Sequence, residues 1–260
     1  MEDYGVLIDK SPDFIKRIEK SLSSAIGDDI KIDIKVNELD TRNSIPNRIW
    51  DFINRNISKN FPKENYIAKP TKRGIWEMKP IFEKSTGILY TLMREERIEE
   101  LRKEIPKRRS AHYAQALAEV LNKDLMTHQE QLSFFQQRSY YDEEKINQIV
   151  HKIFNDLSIP DNIVKHHAII LFSSNNYELI SLRCCLVKSD LTIVAERDWS
   201  SYIEVNESTV AELIVESEPS YINPTSGLKL KQKAKDKIGQ GKRHNVKKDV
   251  KKEEDIKNNE

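Results

Sequence analysis

Read for its alternation of apolar and polar positions, the chain opens with a helix. Ser11-Pro12-Asp13 supplies a capping hydroxyl, a first-turn proline and an acid near the positive end of the dipole. Phe14, Ile15, Ile18, Leu22, Ala25 and Ile26 then share one helical face. Gly27-Asp28-Asp29 reads as the stop. Ile30, Ile32, Ile34 and Val36 alternate with Lys31, Asp33 and Lys35, the period of a half-buried strand. A second helix is predicted over 45–59, with a stripe of Ile49, Trp50, Ile53 and Ile57 that ends at Phe61-Pro62.

Residues 65–94 read as strands. Trp76, Met78 and Phe82 share a face if the segment stays extended past Pro80, a residue that demotes a strand to an edge or marks a bulge. Ser85-Thr86-Gly87 is the turn. Residues 88–93 are apolar on both faces, which predicts a central strand. Helices follow over 95–104, over 110–123 with Ser110 as cap, and over 142–157, while the polar stretch 124–139 is expected to be partly helical. Three β-rich runs, 167–172, 178–187 and 191–195, are separated by Ser173-Ser174-Asn175-Asn176 and Lys188-Ser189-Asp190. Short turns of this kind predict an antiparallel meander. Tyr202, Ile203 and Val205 extend it, and 208–215 forms a short closing helix. Trp199 is expected to close the core, with Asp198 or Ser200 capping a turn.

The fold class is therefore α+β with a mixed or antiparallel sheet: an N-terminal helix-strand-helix-hairpin, central helices and a C-terminal three-stranded meander. Residues 1–226 form one domain. Residues 227–260, with almost no aromatic and few apolar side chains, form a lysine-rich tail that buries too little surface to fold.

Charge sharpens this division. The 260 residues carry a net +1, but 228–260 hold 12 Lys+Arg against 6 Asp+Glu, leaving the rest at −5. An acidic body trailing a basic arm points to a partner recognised by charge. Cys184 and Cys185 are adjacent, so on a strand they face opposite ways and are poorly placed to pair, and their usage fits a reducing compartment. Met1 to Lys10 starts acidic and lacks a basic region followed by an apolar run, and the apolar stretches are strand-sized. A cytoplasmic protein without membrane partners is expected. Richness in Lys, Ile, Asn and Glu matches an AT-rich bacterial genome.

Seven scattered glycines form no phosphate-cradling loop, and there is neither a nucleophile elbow nor an HExxH helix. Three constellations carry chemistry. Glu77 and Lys79 would project from one strand face, the core of a magnesium-dependent nuclease of restriction or toxin type, in which the carboxylate holds the metal and the lysine steadies the attacking water. Such a site needs a second acid, for which Glu83 and Glu95 are the nearby candidates. The bland reading is a wet strand face of alternating charge. Lys103, Lys107, Arg108 and Arg109 lead into the helix carrying His112 and Tyr113, a plausible phosphate contact at a helix N-terminus. Here the bland reading is a solvated loop paired with the preceding glutamates. Lys229, Lys231, Lys233, Lys235, Lys242 and Arg243 make the tail an electrostatic arm for nucleic acid, or a solubilising end. No metal or cofactor site is signalled outside the nuclease alternative, and the histidines show no ligand spacing. The leading reading is a non-catalytic binding or regulatory protein that engages nucleic acid or a protein partner. The nuclease and an antitoxin-like protein–protein module are the alternatives.

Overall fold

Ser11 caps the first helix as its position predicts: its side chain accepts from the Phe14 N–H at 3.3 Å, and α1 runs Pro12–Ser24. The computed structural model describes residues 4–38, 40–73, 76–125 and 141–204. One unit spans Met1–Val205; a second, Asn206–Glu260, lies outside the described residues, as do the expected helix over 208–215, the boundary near 226 and most of 124–139.

The first correction follows at once. Gly27-Asp28-Asp29 does not stop the helix. Ala25–Asp29 forms a π turn, and α2 continues over Ile30–Val36 where alternation predicted a strand. Period-two reading was misled because only one of the four aliphatic residues is fully buried. Ile30 is 0% exposed, whereas Ile32 and Val36 are 60% and 73% exposed. Helical geometry puts Ile30 and the half-buried Ile34 on one face. Asp29 and Asp33 then reach α3, Ile45–Asn60: Asp29 pairs with Arg55 at 2.6 Å and accepts from Asn56 at 2.7 Å, and Asp33 pairs with Arg48 at 2.5 Å.

The expected hairpin region divides in two. β1 (Tyr66–Ile67), β4 (Ile81–Glu83) and β5 (Ile88–Arg94) join the main sheet, while β2 (Thr71–Arg73) and β3 (Trp76–Met78) form a separate antiparallel ribbon. Trp76 and Met78 therefore do not share a strand face with Phe82: the chain leaves the ribbon at Lys79-Pro80 before β4 begins. Gly87 makes the β4–β5 turn at φ +75°, a conformation that disfavours any side chain.

Three helices cross over before the chain returns to the sheet. These are α4 (Glu95–Glu104), α5 (Tyr113–Leu121) and α6 (Glu143–Leu157), the last capped by Asp142, whose side chain accepts from the Glu144 N–H. β6 (His166–Asn175) then lies parallel to β5, and β7 (Glu178–Val187) and β8 (Ile193–Asp198) complete the antiparallel meander in the order β1-β4-β5-β6-β7-β8. The β6–β7 turn is shorter than predicted. Ser173–Asn175 remain in the strand, and Asn176 and Tyr177 turn at φ 47° and 62°, the left-handed pair that suits the twist of a two-residue hairpin. β8 ends at Asp198; of the predicted extension Tyr202 and Ile203 are not in the strand, and Val205 lies outside the described residues. Residues Ser200–Tyr202 make one 3-10 turn, with Asp198 accepting from the Ser200 N–H and Trp199 3% exposed in the core.

The result is a mixed α+β fold of three layers. One sheet face, with Ile88, Tyr90, Ala168, Ile170, Leu182 and Cys184, packs under α1, the π turn, α2 and α3. The other, with Leu89, Met93, Ile169, Leu171 and Cys185, packs under α4, α5 and α6. β5 and β6 are buried on both faces, which is why they read as continuous apolar runs. Among the described residues no helix is long and apolar enough to cross a membrane.

Candidate functional site

The predicted basic entry to α5 is the start of the site, but its cap is not Ser110. His112 is the N-cap: its Nδ1 accepts from the Ala114 N–H at 3.3 Å, while its own N–H donates to Gln115 Oε1 at 3.0 Å. Both side chains are buried because α5 lies almost wholly inside the second core. Ser110, two residues out, stays exposed.

The β2–β3 ribbon folds back over this helix start. Its base is tied to α6, where Asp156 accepts from Thr71 Oγ1 at 2.5 Å and from the Lys72 N–H at 3.4 Å. Its far end sets Arg73 against His112, Nη1 of the guanidinium contacting Nε2 of the imidazole, with the guanidinium carbon 4.9 Å from the centre of the Tyr113 ring. Among the described residues Arg73 has no carboxylate partner. Burial and the neighbouring Arg108 and Arg97 lower its pKa, while Tyr113 opposes them.

Arg97 and Arg108 belong to the same cluster. Arg97 pairs with Glu100 at 2.8 Å and reaches Glu104 at 3.6 Å, and Arg108 pairs with Glu104 at 2.9 Å. The solvated-loop reading is thus half right, since the preceding helix neutralises part of the charge. Lys103, Lys107 and Arg109 are exposed and form no ion pair among the described residues. Burial, followed by the charges of Arg73, Arg108 and Arg97, holds His112 down to about 2, so the ring is neutral at physiological pH.

A neutral imidazole has one donor and one acceptor nitrogen. With Nδ1 accepting the Ala114 N–H, the ring proton sits on Nε2, the atom that Arg73 faces. A guanidinium only donates, so two donors point at each other. The opposite tautomer satisfies Arg73 and leaves the Ala114 N–H facing a second N–H. In the first tautomer an anion could accept from both Nε2–H and Arg73, whose guanidinium side reaches solvent. Behind the site, in the core, the Thr91 hydroxyl meets His167 Nε2 at 2.9 Å. Burial lowers His167 to about 3.

Glu77 and Lys79 part company. Glu77 is exposed on β3 and pairs with Lys72 across the ribbon at 3.4 Å, whereas Lys79, past the strand end that Pro80 imposes, donates to Ser58 on α3. Glu83 pairs with Lys10 at 3.0 Å and Glu95 with Arg183 at 2.5 Å. Among the described residues no group of three or more His, Cys, Asp or Glu side chains is placed to hold a metal. Lys229, Lys231, Lys233, Lys235, Lys242 and Arg243 lie outside the described residues. Sequence reasoning missed Arg73 and Arg97. Arg97 is hidden among helix glutamates, and Arg73 lies 39 positions before His112, joined to it only by the folding back of the ribbon.

A family of unknown function (DUF5986) has a model that matches residues 9–251. No curated protein and no solved structure matches the chain.

Proposed function

The chain belongs to the DUF5986 family, and we propose that it is a non-catalytic binding protein that grips the phosphate backbone of nucleic acid through the basic start of α5. The observation that carries this reading is the Arg73 guanidinium set against the His112 ring at the start of α5, with no carboxylate partner among the described residues. A phosphate oxygen would supply the anionic acceptor that this guanidinium lacks. Arg108 and the exposed Lys103, Lys107 and Arg109 extend positive charge beside it, and the N-terminus of α5 adds its dipole. Contacts of this kind position a backbone without reading bases, so binding is expected to be weakly sequence-dependent and strongly salt-dependent.

The test is equilibrium binding of the full chain to DNA and RNA duplexes and single strands across a salt series. Each phosphate contact removed should lower the slope of log affinity against log salt by about 1. Arg73→Gln and Arg108→Gln should each do so without altering the thermal melt, and removal of 228–260 should lower affinity further by taking away the lysine arm. Absence of salt-sensitive binding to any of these nucleic acids would sink the reading.

A further inference from the structure

The β2–β3 ribbon brings a second side chain to the start of α5. Arg73 and Trp76 are direct partners on its antiparallel ladder, and residues opposed in this way project from the same face. Thr71 and Met78 share that face by alternation. Thr71 is 1% exposed and held by Asp156, and Met78 packs against the core beneath α4, α5 and α6, so this is the face turned towards the body. Lys72 and Glu77 take the outer face and pair with one another at 3.4 Å.

Trp76 differs from the other two tryptophans. Trp199 is 3% exposed inside the first core, and Trp50 meets Phe172 edge to face with ring centroids 5.7 Å apart. Trp76 is half-buried and, among the described residues, packs into neither core and meets no other aromatic ring. Its indole stands instead next to a guanidinium without a carboxylate partner, with Arg108 and the exposed Lys103, Lys107 and Arg109 around the same helix entry. Cations that track a phosphate backbone beside an aromatic face that takes a base are the two parts of a single-strand binding surface.

We propose that the partner of this site is single-stranded nucleic acid, one unpaired base of which stacks on the Trp76 indole while Arg73 holds its phosphate. The stack presupposes the phosphate grip of Arg73, on which it builds. Opposed residues on an antiparallel ladder have Cα atoms about 4.5–5.5 Å apart, so the guanidinium and the indole stand side by side on the scale of one nucleotide. A base inside a duplex is already paired and stacked, and its ring face is closed to an indole at the level of the phosphates. A single strand can turn a base out and offer that face. Every base has one, so the contact adds affinity without selecting sequence.

The experiment measures equilibrium binding of the full chain, across a salt series, to a short oligothymidine strand, to an abasic strand of the same length and charge, and to a duplex of that length. The oligothymidine strand should bind roughly tenfold more tightly than the abasic strand, with the same salt slope. Trp76→Leu, which keeps an apolar side chain on the ribbon but has no π face, should erase that preference and leave the abasic strand, the duplex and the melting temperature unaffected. Trp76→Phe should keep most of it. Equal affinity of the unaltered protein for the thymidine and abasic strands, a preference that survives Trp76→Leu, or an equal loss of duplex binding in that variant would each overturn the stack while leaving the phosphate grip standing. Absence of salt-sensitive binding to all three ligands would overturn both.

Discussion

Asn122, at the end of α5, is hydrogen-bonded to both partners of the β6–β7 ladder at once. Its amide donates to the carbonyls of His167 at 2.9 Å and Val187 at 2.8 Å, and its oxygen accepts from the His167 N–H at 3.0 Å. All three bonds are buried, so the side chain does for the sheet end what another strand residue would do. Asn122→Ala would leave three backbone groups without partners, each costing about 1–3 kcal/mol. A loss of about 3 kcal/mol or more in urea denaturation is expected. Asn122→Asp should be worse, because a carboxylate cannot donate to either carbonyl and would itself be buried.

Acid should weaken the fold well before the carboxylates titrate. His112 and His167 are held at about 2 and about 3 in the folded chain, against an ordinary value of 6.5. Below 6.5 the unfolded chain takes up two protons that the folded chain refuses, so stability falls as pH falls. Each withheld proton costs about 1.4 kcal/mol per pH unit. Acids such as Asp156 contribute only near and below 3.8. The slope of stability against pH should therefore rise from about one proton at pH 6.5 to near two at pH 5, and His167→Gln should halve it. A flat profile over that range would contradict the burial of both rings.

Any replacement of Gly87 is strained. A Cβ there would sit 2.8 Å from the Ile163 carbonyl oxygen, and the backbone is at φ +75°. The turn also holds the start of β6, since the Lys165 N–H donates to the Gly87 carbonyl at 2.8 Å. Gly87→Ala should cost about 1–3 kcal/mol, read as a lowered melting temperature with unchanged far-ultraviolet circular dichroism below the transition.

Helix and strand readings of 30–36 predict different mutational patterns. On a strand, Ile30 and Ile32 would share a buried face. On α2 they do not, so Ile30→Lys should cost several kcal/mol and Ile32→Lys less than about 0.5. Chemical denaturation of the two variants decides the matter.

What could be read from the residues depended on how local the determining interactions are. Ser11 before an amphipathic run, the doubly apolar 88–93, the stripe of Ile146, Val150 and Ile153, and the meander all declare themselves within a dozen positions. The stretch 30–36 did not, because the π turn at Ala25–Asp29 resets the helical phase and the Asp29 and Asp33 partners, Arg55 and Arg48, lie on another helix. The candidate site was legible in outline from Lys103 to Tyr113. Its decisive member, Arg73, was not, because a ribbon anchored by Asp156 on α6 delivers it. The cap illustrates the same limit. Ser110 has the better intrinsic preference, but His112 is the residue whose side chain lies over the free N–H once α5 sinks into the core.

The two adjacent cysteines record the layering in chemical form. Cys184 faces the core beneath α1 and α3 and Cys185 the core beneath α5 and α6, each fully shielded, with burial raising both thiols and pushing Cys185 up to about 12. Neither can react while its own layer is in place. One dipeptide thus holds two independent reporters, and the relative rates at which a thiol reagent reaches them measure how often each helical layer lifts from the sheet.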